Sequence, residues 1–388
     1  MLKQQRSVDS KMSTFKHLYK SVTDEKHGHK LEEGLEKVRS KDPEENHLSC
    51  LLHPEERISS LKEKEVFMKE AMDDPEFTKD LKLTIDLLQN HKGPVYALVA
   101  PAYIGQFGDH ITTGQIRSAF KEMGFTGMVE VAVFADILTF KEALEFHDNI
   151  KDENDFQLTS CCCPVWISLI KKHFPKIVSH IPPAVSPMIA CGRVAKHLQP
   201  DAATIFIGPC MAKKMEAKEE DIKDAIDCVL TFQETEQLFE KMSIVLENQI
   251  ESIRNHTSYA GRIYARTGGV SKAVEMTIKR IDPNQKIKFK AKQADGVMEC
   301  KKLLEELLEG KVEANFYEGM GCQGGCVGGP KRIISTEKGK ENVEEYAKEA
   351  EFETPLDNPY VIELLHVLGF KTVKDFVENS KLLTRKFT

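Results

Sequence analysis

Thr159-Ser160-Cys161-Cys162-Cys163-Pro164-Val165-Trp166 carries three adjacent cysteines and the only tryptophan of the chain. A lone free Cys packs as a small hydrophobe, but three in a row cannot all face one core. Pro164 suits the first turn of a helix, so the thiols stand where a loop enters a helix that continues through Trp166, Ile167, Leu169 and Ile170. Two further clusters follow, Gly208-Pro209-Cys210-Met211-Ala212-Lys213-Lys214-Met215-Glu216 and Glu318-Gly319-Met320-Gly321-Cys322-Gln323-Gly324-Gly325-Cys326-Val327-Gly328-Gly329. Soft ligands drawn from three distant loops are what a folded metal-cluster site needs.

Composition sets the frame. The 388 residues suffice for one large domain or two modest ones. Lys and Arg number 54 against 61 Asp and Glu, a net charge of −7 that argues against general nucleic-acid binding. No apolar run reaches membrane-spanning length, and Met1-Leu2-Lys3-Gln4-Gln5-Arg6 lacks the apolar stretch of a secretory signal. The expectation is a cytoplasmic protein whose cysteines bind metal or take part in catalysis rather than form disulfides.

Residues 1–92 are polar, rich in Lys and Glu, and read as a helical extension that holds only Cys50 and therefore no ferredoxin-type motif. From 93 to 388 strands alternate with helices, which gives an α/β fold. Expected strands are Pro94–Pro101, Met128–Phe134, Ala203–Ile207, Lys286–Lys290 and Ala314–Tyr317. Expected helices are Thr113–Met123, Leu138–Ile150, one from Pro164, Gly268–Ile281, Gly296–Leu308 and one from Asn358-Pro359. The loops after Ile207 and Tyr317 leave strand carboxyl ends, where α/β proteins place their sites.

Cys163, Cys210, Cys322 and Cys326 can supply the four thiolates of a [4Fe–4S] cluster. Four thiolates also make a zinc site, but zinc ribbons use paired Cys-x₂-Cys hooks, and two isolated cysteines plus a Cys-x₃-Cys fit that poorly. Gly324, Gly325, Gly328 and Gly329 are expected to let backbone approach a bulky inorganic ligand. Glu142 and Glu145, three apart on an expected helix, share a face. By themselves they read as an exposed acidic face; buried, they could relay protons.

The three cysteine segments resemble the signatures TSCCPxW, PCxxKxxE and ExMxCxxGCxxGG of the [FeFe]-hydrogenases, in the same order. The resemblance covers roughly residues 92–388 and is closest to minimal forms without ferredoxin-like domains. It implies a two-lobed H-domain with mixed β-sheets flanked by helices and the cofactor between the lobes. That cofactor is the H-cluster, a [4Fe–4S] cubane joined to a two-iron subsite with CO, CN⁻ and a bridging azadithiolate. The resemblance assigns Cys163, Cys210, Cys322 and Cys326 to the cubane, with Cys326 bridging to the subsite. It assigns Cys162 to proton exchange and Lys213 to a cyanide. Met320 falls beside the bridging CO, and Pro101 and Ala102 near the distal cyanide. Glu142 and Glu145 fall on the proton path. The activity implied is H₂ ⇌ 2H⁺ + 2e⁻, with a ferredoxin-like electron partner or redox subunit and maturation proteins for the subsite. A hydrogen sensor using the same cluster, or an iron–sulfur electron-transfer or assembly protein of the same fold, are the alternatives.

The sequence departs from the family pattern in places. Three cysteines precede Pro164 instead of two, as in the divergent group D branch to which a sensory role is ascribed; aligned on Cys-Cys-Pro, Cys162 is the relay and Cys161 is extra. Gly208 replaces a methionine, Pro182 a pathway serine, and Met188 a glutamine. Lys141, His147 and Asp148 are expected as surface charges, Met211 and Met215 as packing residues, and Cys50, Cys191, Cys228 and Cys300 as buried unligated thiols. Tyr264 and Arg266 could line the site or serve core and surface.

Overall fold

The computed structural model describes residues 33–40, 49–52, 73–159, 162–252, 254–378 and 380–387. Two parallel sheets organise it. The first has four strands, β1 (Val95–Val99), β2 (Gly127–Glu130), β4 (Ala203–Gly208) and β5 (Cys228–Thr231), in the order β2-β1-β4-β5. The second has β3 (Gln157–Leu158), β6 (Ala291–Asp295) and β7 (Phe316–Met320), in the order β3-β7-β6. Every described pairing is parallel, whereas mixed sheets were expected. Central strands β1 and β4 are buried at every position, which is why they read as unbroken apolar runs.

The helices that matter here are α1 (Lys79–Asn90), α2 (Thr113–Met123), α3 (Ala132–Asn149), α4 (Pro164–His173), α5 (Pro187–Leu198), α6 (Met211–Glu216), α7 (Phe232–Lys241), α8 (Gly269–Ile281), α9 (Val297–Leu308), α10 (Thr336–Lys348) and α11 (Pro359–Val367). Local signals set many of their ends. A Thr112/Gln115 capping box starts α2 and Gly124, at φ 104°, ends it. Thr231 and Glu234 cap α7 in the same way, and Ser186 caps α5. Leu81, Ile85 and Leu88 of α1 lie in the same core as the first sheet, so the last helix before residue 93 packs as part of this body.

Two strand expectations fail. Only Met128–Glu130 of the run Met128–Phe134 is extended, as part of β2, and Ala132 already belongs to α3. Residues 132–146 are buried all round, so the helix has no polar face for periodicity to reveal. The alternating Lys286–Lys290 segment is not a strand; β6 is the next five residues, which pair with β7. Phe289 instead packs between Phe146 and Phe316, at centroid distances of 5.2 and 5.1 Å.

Candidate metal centre

All three cysteine loops leave the carboxyl ends of strands or begin where a strand has just ended. Cys210 follows β4 and Pro101-Ala102 follows β1; the chain runs from β1 to β2 on one side and later returns as β4 on the other, so this is the sheet's switch point. Cys163 follows β3, while Cys322 and Cys326 follow β7. Cys163 and Cys210 are the N-cap residues of α4 and α6.

The four thiols sense one another. Burial pushes the Cys326 thiol up, and Cys210 and Cys163 push it further. Cys322 is pushed up to about 11 by burial and by the same two neighbours. Burial also raises Cys210, against the opposing pull of Lys213. Thiols so grouped resist losing their protons together unless a cationic core takes up the charge. All nine described cysteines are free, and the Gly321 N–H donates to Cys163 Sγ at 3.3 Å, as amides do around iron–sulfur clusters. Among the described residues no three His, Cys, Asp or Glu side chains gather closely enough for a single metal ion. Cys210, Cys163 and Cys322 all act on the Cys326 thiol, so the four share one neighbourhood, and a donor set of thiols alone fits an iron–sulfur cubane.

The glycines of the third loop serve a different purpose from the one expected. A Cβ on Gly325 would stand 2.6 Å from the Thr267 amide nitrogen, on Gly328 1.8 Å from the Gln323 carbonyl, on Gly329 2.8 Å from Pro209, and on Gly324 2.4 Å from Thr336. These positions are glycine because protein packs against protein there. Upstream, a Cβ on Gly319 would stand 2.1 Å from the Trp166 ring and one on Gly321 2.6 Å from Val165. The three motifs are therefore locked together by backbone contact, with Gly324 and Gly325 also at positive φ. Gly208 has a similar reason: a Cβ would meet the Phe206 ring at 2.8 Å and Ala100 at 3.1 Å.

Carboxylates complete the staple. Glu318 is fully buried and accepts from the Gly268 amide (2.8 Å), the Ser271 amide (2.8 Å) and the Ser271 hydroxyl (2.7 Å). It neutralises the amino end of α8, and its carboxyl is raised by burial against those donors. Asp295 accepts from Thr267 Oγ1 at 2.7 Å and from the Gly324 amide at 2.8 Å. Neither residue was singled out from sequence; the only available signals were the Glu that opens the third motif and an Asp before a glycine at a strand end.

The residues assigned to the two-iron subsite are buried or partly buried. Met320 is buried in a cluster against which Cys162 and Cys163 pack. Ala102 is buried and Pro101 partly so. Lys213 is buried and donates to Glu216 Oε2 at 2.6 Å; burial opposes its charge, but Glu216, Cys210 and Cys326 hold the ammonium above its ordinary range. Cys162 is pushed well up by burial, then by Cys163, Glu318, Cys326 and Glu142. Ser160 and Cys161 lie outside the described residues.

Glu142 and Glu145 do not form an exposed face. They are 1% and 6% exposed on the inner helix α3. Lys141, expected at the surface, is completely buried, and its ammonium bonds Glu145 Oε1. Burial raises the Glu145 carboxyl, with Lys141 pulling the other way. The expectation failed because a residue of α3 can face inward at any position. His147 and Asp148 are at the surface as expected. Tyr264 is buried; its hydroxyl meets Thr139 Oγ1 at 2.8 Å, and burial and Glu142 raise it far above its usual range. Arg266 pairs with Glu344. Glu145 reaches a cleft of about 730 Å³ that Asp148, Pro183 and Lys381 also line. Cys191, Cys228 and Cys300 are buried as expected, and Cys50 is half-buried.

Residues 93–330 match the family model described as iron only hydrogenase large subunit, C-terminal domain. The chain belongs to this family. It is 24% identical over 257 residues to Iron hydrogenase 1 of Clostridium pasteurianum, which covers 56% of this chain and 45% of that protein. It thus spans less than half the length of that relative. To the periplasmic [Fe] hydrogenase large subunit of Nitratidesulfovibrio vulgaris it is 26% identical over 294 residues, 62% and 69% of the two chains. The chain is also 23% identical over 291 residues to a "Probable cytosolic Fe-S cluster assembly factor" of Drosophila mojavensis, 62% and 61% of the chains. A variant of apo [FeFe]-hydrogenase HydA1 from Chlamydomonas reinhardtii superposes with a TM-score of 0.62 at 18% identity, covering 83% of this chain and 98% of that one. At that identity the likeness establishes the fold, an [FeFe]-hydrogenase H-domain with parallel sheets flanked by helices. Among the described residues no helix is long and apolar enough to cross a membrane.

Proposed function

We propose that this member of the iron-only hydrogenase family catalyses H₂ ⇌ 2H⁺ + 2e⁻ with residues 93–388 as its catalytic domain. Cys163, Cys210, Cys322 and Cys326 would hold the cubane, and Lys213, Met320, Pro101 and Ala102 would surround the two-iron subsite with its CO, CN⁻ and azadithiolate. When bound, the H-cluster supplies the iron at which H₂ is made or split and a reservoir for the electrons. The chain supplies everything that moves and shields the proton. Cys162 stays a neutral thiol because burial opposes its thiolate, so it can both accept and give a proton. Glu142 influences it electrostatically from α3, and Glu145, one turn further, opens on the cleft to solvent. Lys141 keeps charge balance beside Glu145. Trp166 and Val165, pressed on Gly319 and Gly321, exclude water from the cluster side.

The observation that carries this reading is the pair of buried carboxyls behind Cys162, which electron transfer alone does not require. The Drosophila relative favours a second reading, an iron–sulfur protein without hydrogen chemistry. A cytoplasmic location, a ferredoxin-like electron partner and dedicated maturation proteins belong to the same proposal. Infrared spectroscopy of protein loaded anaerobically with iron, sulfide and a two-iron subsite mimic tests it. Bound CO and CN⁻ bands that shift under H₂ are expected, with turnover rates separating catalyst from sensor. A competent cubane without retained bands would leave the second reading.

A further inference from the structure

A pocket of about 300 Å³ opens beside β3, the short strand whose chain runs on to Cys162 and Cys163. Gln157 of β3 lines it and is 2% exposed, yet neither Nε2 nor Oε1 of its side chain has a hydrogen-bond partner among the described residues. Buried amides are ordinarily satisfied. One that lacks both of its bonds costs stability, and a molecule seated against it removes that cost.

The pocket is richer in acceptors than in donors. The backbone amides of Asp155, Gln157 and Ile181 are engaged by the carbonyls of Asp152, Asn315 and Val178, and Pro182 and Pro183 have no N–H. His180 Nδ1 donates to the Phe156 carbonyl at 3.0 Å, which leaves Nε2 of the neutral ring as an acceptor. Asp155 Oδ2 accepts from the Lys151 and Asp152 amides at 2.7 and 3.0 Å, and these bonds hold its carboxyl below the usual carboxylate range. No Lys or Arg is among the lining residues, so Asp155 supplies the pocket's fixed charge.

It also has a flat wall. The Phe156 and His180 rings, both in the lining, stack at a centroid distance of 4.0 Å and an angle of 11°, and Tyr317 braces Phe156 edge-on at 5.7 Å. A planar cation with several N–H groups matches each of these features. It pairs with a carboxylate, donates to an amide oxygen and lies against an aromatic face. The volume is at the small end for ligand pockets, which suits a head group with a short stem.

We propose that this pocket is an effector site for a guanidinium cation, held by Asp155 and Gln157 against the Phe156–His180 wall. Its binding does not depend on the hydrogenase reading; its effect on turnover rests on that reading. The position explains the effect. Asn149 and Pro183 line both this pocket and the cleft that Glu145 reaches, so an occupant places positive charge beside the mouth of the proton path and opposes proton movement there. β3 also pairs with β7, the strand that ends at Met320.

Isothermal titration calorimetry of the full cluster-free chain tests the site, with agmatine and N-acetylarginine amide as probes. Saturable binding at about 1 mM or tighter is expected. Agmatine binding alone marks a free small molecule as the source of the guanidinium, and equal binding of the blocked arginine marks a protein side chain. Gln157→Leu and Asp155→Asn are each expected to weaken binding by about tenfold or more. Asp155→Asn keeps an acceptor for the two backbone amides. Gln157→Leu removes a buried amide without partners, so its urea midpoint should equal or exceed the parent's. Met211 and Met215, expected as packing residues, are 44% and 69% exposed outside this pocket, and Met215→Gln should leave the affinity unchanged. No saturable heat, unchanged binding in Gln157→Leu, or equal binding of putrescine would overturn the site. So would weakening by Glu378→Gln, because Glu378 lines only the neighbouring cleft. In protein that turns over hydrogen, saturating agmatine should slow the parent by about threefold or more and spare Gln157→Leu; an unchanged parent rate would overturn the effector role. Binding without any hydrogen turnover would sink the hydrogenase reading and leave the site standing.

Discussion

Replacing Lys141 by methionine removes a buried ammonium and leaves the Glu145 carboxyl with no partner for Oε1. Both side chains are almost wholly enclosed, at 0% and 7% side-chain exposure, so solvent does not screen the pair. Breaking a buried ion pair from one side costs about 3–5 kcal/mol. Glu145 has an escape: burial already raises its carboxyl, and without Lys141 it rises further and keeps its proton. The cost therefore depends on pH, with a definite sign. Below the ordinary carboxylate range Glu145 is protonated in both the folded and the unfolded chain. There the parent, not the variant, carries an unpaired buried charge, and Lys141→Met is as stable as the parent or more so. As pH rises through the folded-state value the variant loses stability, and above that value the loss is constant. Urea unfolding of cluster-free protein at about pH 3.5, below the ordinary carboxylate range, and at about pH 8 should show the deficit only at the higher pH. The acid limb of hydrogen turnover should move to higher pH in the same variant. A deficit of equal size at both pH values, with an unmoved turnover profile, would refute the account of Lys141 as the counter-charge of Glu145.

Cys162→Ser should lower hydrogen turnover by about a hundredfold or more while the cubane's electron paramagnetic resonance signal persists; Cys161→Ser should keep turnover, and the reverse pattern would transfer the relay to Cys161. Gly319→Ala places a methyl 2.1 Å from the Trp166 ring, and the overpacking should cost about 1–3 kcal/mol in denaturant unfolding and reduce iron uptake. Asp136, held by Ser258 and Asn358, has its carboxyl raised to about 6 by burial. Its contribution to stability is greatest below about pH 4 and declines to a floor above about pH 6. Relative to Asp136→Asn the parent should therefore lose on the order of 3 kcal/mol across that interval; a pH-independent difference would contradict the assignment.

Much of the site was legible because its chemistry is written in contiguous loops. Cys163, Cys210, Cys322 and Cys326 could be grouped from residue type and motif order alone, and the strands before Cys210 and before Cys322 were legible as short runs, whereas the two-residue β3 before Cys163 was not. Helix ends were equally local, since Thr112 with Gln115 and Gly124 act through their own backbone neighbours. Other features had no local signature. Whether Glu142, Glu145 and Lys141 face water or core depends on what α3 packs against, and its neighbours include segments more than a hundred residues away. The third-loop glycines looked like room for a cofactor, yet the atoms that forbid their side chains belong to Pro209, Thr267 and Thr336. Met211 and Met215 looked like core because they are apolar; only the assembled helices leave them in the open beside the cluster loops. The sequence by itself thus determined which atoms can bind metal and in which loops they sit, because ligand chemistry belongs to the residue. The tertiary structure decided which charges are buried, which glycines are obligatory and which apolar side chains remain exposed, because burial is a property of what the rest of the chain brings near.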